Sequence, residues 1–273
     1  MTSADGIVTD IRQSINGREV PISQTQQKVL SKSANTTVTE RIVRHYGADG
    51  QIVQTDRVVT EETTGPNGEF TSHSTTSRSD ISGNMTEAER NTVETRKMGA
   101  GTITDTTIEK KDLNGSFSVA EKRTLTSDPT SDGKRDNETV MLRDANGTLY
   151  EAQRLATVEK KSGNQVVTNT AIYEPGVNGN LSLTRQSVTK ATSNPDGSSS
   201  EEVEIYGRTS DGRARSAGEA PPLTEKRIFE RQKTSGGAIV ETQTVQLPSV
   251  SDPGRLEPAR KVGETICRGE CKQ

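Results

Sequence analysis

Residues 49–68 read DGQIVQTDRVVTEETTGPNG, with Asp49-Gly50 opening the stretch and Asn67-Gly68 closing it. Asp-Gly and Asn-Gly dipeptides accommodate the positive φ of a tight reversal and are the strongest short-range hairpin signal. Between them, Gln51 to Thr60 is a proline-free run rich in Val, Ile and Thr, which suits a pleated, half-solvated strand better than a helix. The stretch therefore reads as one strand held between two chain reversals.

Outward from it, the same punctuation recurs along the whole chain, and such a period dictates architecture. One series of turn glycines is Gly17, Gly50, Gly83, Gly115, Gly147, Gly179 and Gly212, in steps of 33, 33, 32, 32, 32 and 33. A second series falls midway: Gly68, Gly101, Gly133, Gly163, Gly197 and Gly237, in steps of 33, 32, 30, 34 and 40. The last step reflects an insertion around Ala214 to Pro222, after which the first series resumes at Gly254. A further reversal without glycine is expected near Ser33 to Thr36. These positions call for type I′ turns about every sixteen residues, separated by strands of about 10–12 residues. No stretch sustains a 3.6-residue period, so essentially no helix is expected.

The fold class that follows is all-β: a tandem β-hairpin repeat of about 32–33 residues per hairpin, forming an up-and-down antiparallel meander of about 16 strands. An elongated sheet results. The chain reads as a single repeat domain over residues 1–273, with hairpin units at about 17–49, 50–82, 83–114, 115–146, 147–178, 179–211 and 212–253, then a C-terminal strand and cysteine-containing tail at 254–273. Stacked parallel coils disagree with the turn chemistry. A membrane barrel needs aromatic girdles, which four Tyr and three Phe do not supply.

Composition limits what such a sheet does. Only 27% of the residues are hydrophobic and 3% aromatic, so a conventional core is not expected. Disorder is the rival reading, but the 35 basic and 38 acidic residues nearly cancel and β-branched residues recur throughout, which favours an ordered sheet. The apolar residues leave one face thinly hydrophobic, so the sheet calls for a covering surface. A net charge of −3, with acids and bases interleaved, gives no field for gathering nucleic acid, and no window approaches the ~20 apolar residues of a membrane-spanning helix.

Candidate chemistry is sparse. His45 and His73 stand outside any metal-ligand spacing, and neither a nucleophile elbow nor a phosphate loop is present. No catalytic residue, metal site or cofactor is expected, and the chain reads as non-enzymatic. Arg57, Arg90, Arg123, Arg154, Arg185 and Arg260 recur after the first-series glycines, with Asp56, Glu89, Glu121 and Glu151 beside most of them. That pattern is expected to form cross-strand ion pairs which set register. Cys267 and Cys271 fit a possible disulfide, within one chain or between chains, in an oxidising compartment.

The function these features suggest is an extracellular structural protein of a bacterium that self-assembles through β-sheet contacts into a filament, tube or surface layer, its partners being other copies of itself. The alternative is a monomeric cell-surface adhesion module or stalk, with the insertion as its contact surface. The N-terminus Met1-Thr2-Ser3-Ala4-Asp5-Gly6 lacks the layout of a signal peptide. An extracellular location therefore implies a signal removed beforehand, and a cytoplasmic one stays open.

Overall fold

The glycine-paced run of β-branched segments produces sixteen strands, each hydrogen-bonded to its neighbours in sequence, in one open antiparallel sheet. A computed structural model describes residues 6–15, 18–80, 82–112, 114–207, 221–234, 236–249, 251–252 and 255–267. Gly17, Gly212, Gly254, Cys271 and most of the insertion lie outside the described residues. In chain order the first eight strands are β1 (Ile7–Ile15), β2 (Arg18–Lys32), β3 (Thr36–Tyr46), β4 (Ile52–Thr64), β5 (Phe70–Ser79), β6 (Met85–Met98), β7 (Gly101–Lys111) and β8 (Phe117–Thr130). The others are β9 (Gly133–Arg143), β10 (Leu149–Ser162), β11 (Gln165–Pro175), β12 (Leu181–Ser193), β13 (Ser199–Tyr206), β14 (Leu223–Lys233), β15 (Ile239–Gln246) and β16 (Arg260–Cys267). No helix occurs among the described residues.

The chain divides into two compact units, one made of Met1–Leu125 with Val140–Tyr150 and the other of Thr126–Thr139 with Glu151–Gln273. Within each, strands pack against their sequence neighbours.

Eight of the turns depart from the expected type I′. At Gly50, Gly68, Gly83, Gly115, Gly147, Gly179, Gly197 and Gly237 the glycine N–H donates to the carbonyl three residues earlier, and φ lies between 74° and 87°. This is a three-residue loop, a type I turn ended by a left-handed glycine, so positive φ is needed at the glycine alone. The residue before the glycine is Asn or Asp in six of the eight, and Ser82 and Gly236 in the other two. Gly101 and Gly133, expected as turn residues, are instead the first residues of β7 and β9. Left-handed φ falls on Gly99 (62°) in the first case. At Gly133 the requirement is close approach, because a Cβ there would lie 1.9 Å from the Glu159 carbonyl oxygen on β10. Gly163 opens a two-residue loop with φ 59°. The glycine-free reversal is present, closed by Ser33 N–H donating to the Thr36 carbonyl at 2.8 Å.

Strands reach 15 residues in β2 and 14 in β6, β8 and β10, longer than expected because polar residues beside the loops stay in the ladder. A second regularity is absent from the glycine spacing. Ile22, Val53, Ala88, Thr184, Thr224 and Val262 are each an extra residue in the pairing of an even strand with the odd strand before it. Such bulges bend the strand and increase its twist.

The sheet has almost no core. Among the described residues only Glu40, Ser72, Gly101, Val140 and Gly207 are buried. Apolar side chains are not gathered on one thin face as expected. By register, Val38, Ile42, Val59 and Ile103 share one face of the first unit, while Val43, Val58, Val93 and Ile108 occupy the other. Cohesion comes from the backbone ladder and from polar cross-strand pairs. The hydroxyls of Thr36 and Thr63 (3.2 Å), Thr60 and Ser74 (3.0 Å), Thr95 and Thr104 (2.9 Å) and Thr157 and Thr170 (3.2 Å) meet in this way.

Candidate functional site: charged ladders and open edges

Alternation along β3 places Glu40 on the same face as Lys28 of β2, directly opposite it, and Arg57 of β4, diagonal to it. Both cations reach the carboxylate at 2.7 Å, one on each oxygen. The Glu40 side chain is 6% exposed, yet its partners keep 42% and 49% exposure. The salt bridge to Lys28, followed by that to Arg57, holds the Glu40 carboxyl below its ordinary pKa of 4.5. On the same face, Arg44 donates to Gln24 (2.9 Å), and Gln24 donates to Asp10 (3.0 Å), joining β3, β2 and β1.

The second unit repeats the device. Lys226 of β14 lies 2.9 Å from Glu202 and 3.5 Å from Glu204 of β13, and Lys190 of β12 lies 3.6 Å from Glu202. The hydrogen bond with Glu202 raises the Lys226 pKa and lowers that of Glu202. Tyr206 donates to Glu204 at 2.8 Å, and burial, then this bond, raises its pKa.

The arginine series behaves differently from its expected cross-strand pattern. Arg57 reaches across strands, to Glu40. Arg90 binds Glu87, Arg123 binds Glu121 and Arg154 binds Glu151 within their own strands. The bulge at Ala88 explains the first of these, because one extra residue returns positions 87 and 90 to the same face. Asp56 instead accepts from Arg78 at 3.1 Å, with His45 Nε2 at 3.6 Å, and Glu89 pairs with Lys110. His73 contacts Thr92 at 3.3 Å. Both histidines thus take part in cross-strand polar pairs.

At the loops, Asp80, Asp112 and Asp144 each accept from the backbone N–H groups two and four residues on, at 2.8–2.9 Å. These carboxylates are occupied in capping their own turns. The Asn84 backbone and side chain lower the Asp80 pKa. Among the described residues no group of three or more His, Cys, Asp or Glu is placed to hold a metal ion. Cys267 is disulfide-bonded.

The strand edges complete the picture. Among the described residues β1 pairs only with β2, and β16 only with β15, so within that set one side of each terminal strand presents unpaired backbone. Ile7, Val8 and Ile11 on β1 are 74%, 54% and 53% exposed, and Val262 and Ile266 on β16 are 58% and 50% exposed. No helix among the described residues is long and apolar enough to cross a membrane.

The sequence expectations gave the antiparallel strand order but missed the Glu40 triad. Reflection about the reversal near Ser33 to Thr36 sets Lys28 opposite Arg41, and only the extra residue Leu30 on β2 brings it opposite Glu40. Set against known proteins, the chain matches no family model, no curated relative and no solved structure.

Proposed function

We propose that this chain is a non-enzymatic, extracellular structural protein that self-assembles edge to edge through its terminal strands into a filament. The supporting observation is the pair of open edges. Unpaired N–H and C=O groups template the addition of another strand, and proteins that stay monomeric blunt such edges with proline, charge or a covering segment. Neither β1 nor β16 contains proline, and both expose aliphatic side chains. β16 bulges at Val262, and Gly263 to Cys267 continue its regular pairing beyond that point.

Strand parity also favours this reading. With sixteen strands in alternating order, β1 and β16 have opposite sense in the ladder. An antiparallel junction between β16 and the β1 of another copy then continues the same alternation. The division of apolar residues between both faces favours edge contacts over the sheet-to-sheet stacking of a tube or layer.

Sedimentation velocity and electron microscopy over a concentration series test the proposal. Length is expected to grow with concentration, and the double variant Ile7→Lys, Ile11→Lys is expected to shorten the assemblies. Monomeric particles at every concentration would refute it.

A further inference from the structure

The second unit carries a concave patch of about 450 Å³ spread over β12 to β16. Its centre is Phe229, 36% exposed on a sheet with few aromatic residues. Register places Glu201 directly opposite Phe229 on one side and Gln243 on the other, with Gly263 beyond Gln243. The missing side chain at Gly263 leaves the patch open toward the edge. In the adjacent row Arg231 faces Glu241, with Nε 3.7 Å from the carboxylate.

Two features distinguish this patch from the charged ladders. Neither the Glu201 carboxylate nor the Gln243 amide has a hydrogen-bond partner among the described residues. Arg231 Nε is a buried donor that also lacks one. The ladders satisfy their polar groups internally, whereas here an exposed ring is flanked by an unused acceptor and an unused amide, and the wall beside it holds an unmet donor.

We propose that this patch binds an extended, neutral carbohydrate chain lying across the strands. A pyranose offers an axial C–H face to an aromatic ring and equatorial hydroxyls at its rim. Phe229 takes the first, while the Glu201 carboxylate and the Gln243 amide, which accepts and donates, take the second. Five strands span about 19 Å, four spacings of ~4.8 Å, which is room for several sugar residues in a row. A peptide strand gains its backbone hydrogen bonds at a sheet edge rather than across a face. Glu241 is offset by Arg231, which leaves Glu201 as the uncompensated charge and disfavours anionic glycans. The inference is independent of self-assembly.

Calorimetric titration of the full chain with cellohexaose, maltohexaose and hexa-N-acetylchitohexaose tests it. At least one is expected to bind with a Kd of about 1 mM or tighter. Phe229→Leu, which keeps bulk without the ring face, is expected to weaken that binding at least about tenfold. Glu201→Gln, which keeps a hydrogen-bonding group, is expected to weaken it less. Tyr150→Ala, at an exposed aromatic in the other unit, is expected to leave it unchanged, and far-UV circular dichroism confirms that each variant folds. Failure of all three sugars, or equal binding by Phe229→Leu, would overturn the proposal. So would binding of tetralysine in their place, abolished by Glu201→Gln, since the patch would then capture cations.

Discussion

Glu40→Gln is the substitution that most directly probes how a sheet without a core is held together. The change keeps size and shape but removes the charge that Lys28 and Arg57 share, each at 2.7 Å. A fully buried ion pair loses about 3–5 kcal/mol when one partner is removed, whereas an exposed pair contributes about 0.2–1 kcal/mol. Glu40 is shielded, but both cations are more than two-fifths exposed and recover much of their hydration in the variant. Two contacts near the top of the exposed range give a loss of about 1–2 kcal/mol. Amide hydrogen exchange on β3 and β4 reads this locally as about a 5- to 30-fold fall in protection at pH 7.

Acid provides the control. The folded-state pKa of Glu40 is depressed, so its contribution is fully present above the unfolded value, near 4.5, and disappears as pH falls through the lower folded value. The ratio of protection between the native chain and Glu40→Gln should therefore approach one in acid. A ratio below about twofold at pH 7, or one that persists below the titration, would refute the assignment of this energy to the charged triad.

Two other predictions concern backbone geometry and the second ladder. Gly133→Ala is expected to destabilise by about 3 kcal/mol, because its Cβ would strike Glu159 main-chain atoms that cannot withdraw without opening the ladder. Gly50→Ala, at φ 76° in open space, should lose only about 1 kcal/mol; urea midpoints that coincide would contradict both explanations. Lys226→Met should destabilise the second unit by about 1–2 kcal/mol at pH 7, since it removes the cation between Glu202 and Glu204. The Lys226 pKa is raised, so the native contribution is full below 10.5 and is lost as pH climbs through the higher folded value. Thermal melts from pH 7 to strongly alkaline conditions should show this limb in the native chain and not in the variant.

The strand order was legible in the sequence because reversals in this chain are local events, each fixed by three or four residues such as Asp144-Ala145-Asn146-Gly147. The same dipeptides misled on turn type, since Asn-Gly fits both a type I′ loop and the end of a three-residue loop. The distinction lies in which backbone groups pair across the loop, as when Asp144 N–H donates to the Thr148 carbonyl. Gly101 and Gly133 kept the period while their turns moved one or two residues upstream, because a glycine required by a neighbouring backbone looks the same in sequence as one required by φ. Bulges such as Ala88 and Val262 carry no residue signature, yet they reverse the facing of everything beyond them. This is why the Arg90 and Glu87 pair was unreadable, and the Lys28 and Glu40 pair with it, because Leu30 is an extra residue of β2 between the turn and that pair. The Phe229 patch depends on register across five strands and lay beyond any local pattern.

The absence of a core changes what an edge means in this protein. In a layered domain, stability is shared through a common interior, and a terminal strand borrows much of its own from the layer beneath. Here the strands within each unit pack against their sequence neighbours, so an interior strand has two sources of support and β1 or β16 has one. Stability is then close to a sum of nearest-neighbour terms, and opening should begin at the two ends. Pairing β16 with the β1 of another copy gives each of the two least supported strands the neighbour it lacks. One junction therefore stabilises both chains where they are weakest, and its gain should appear as slower exchange confined to β1 and β16, with β4 unchanged. That spatial pattern separates edge pairing from face stacking, which would protect central and terminal strands alike.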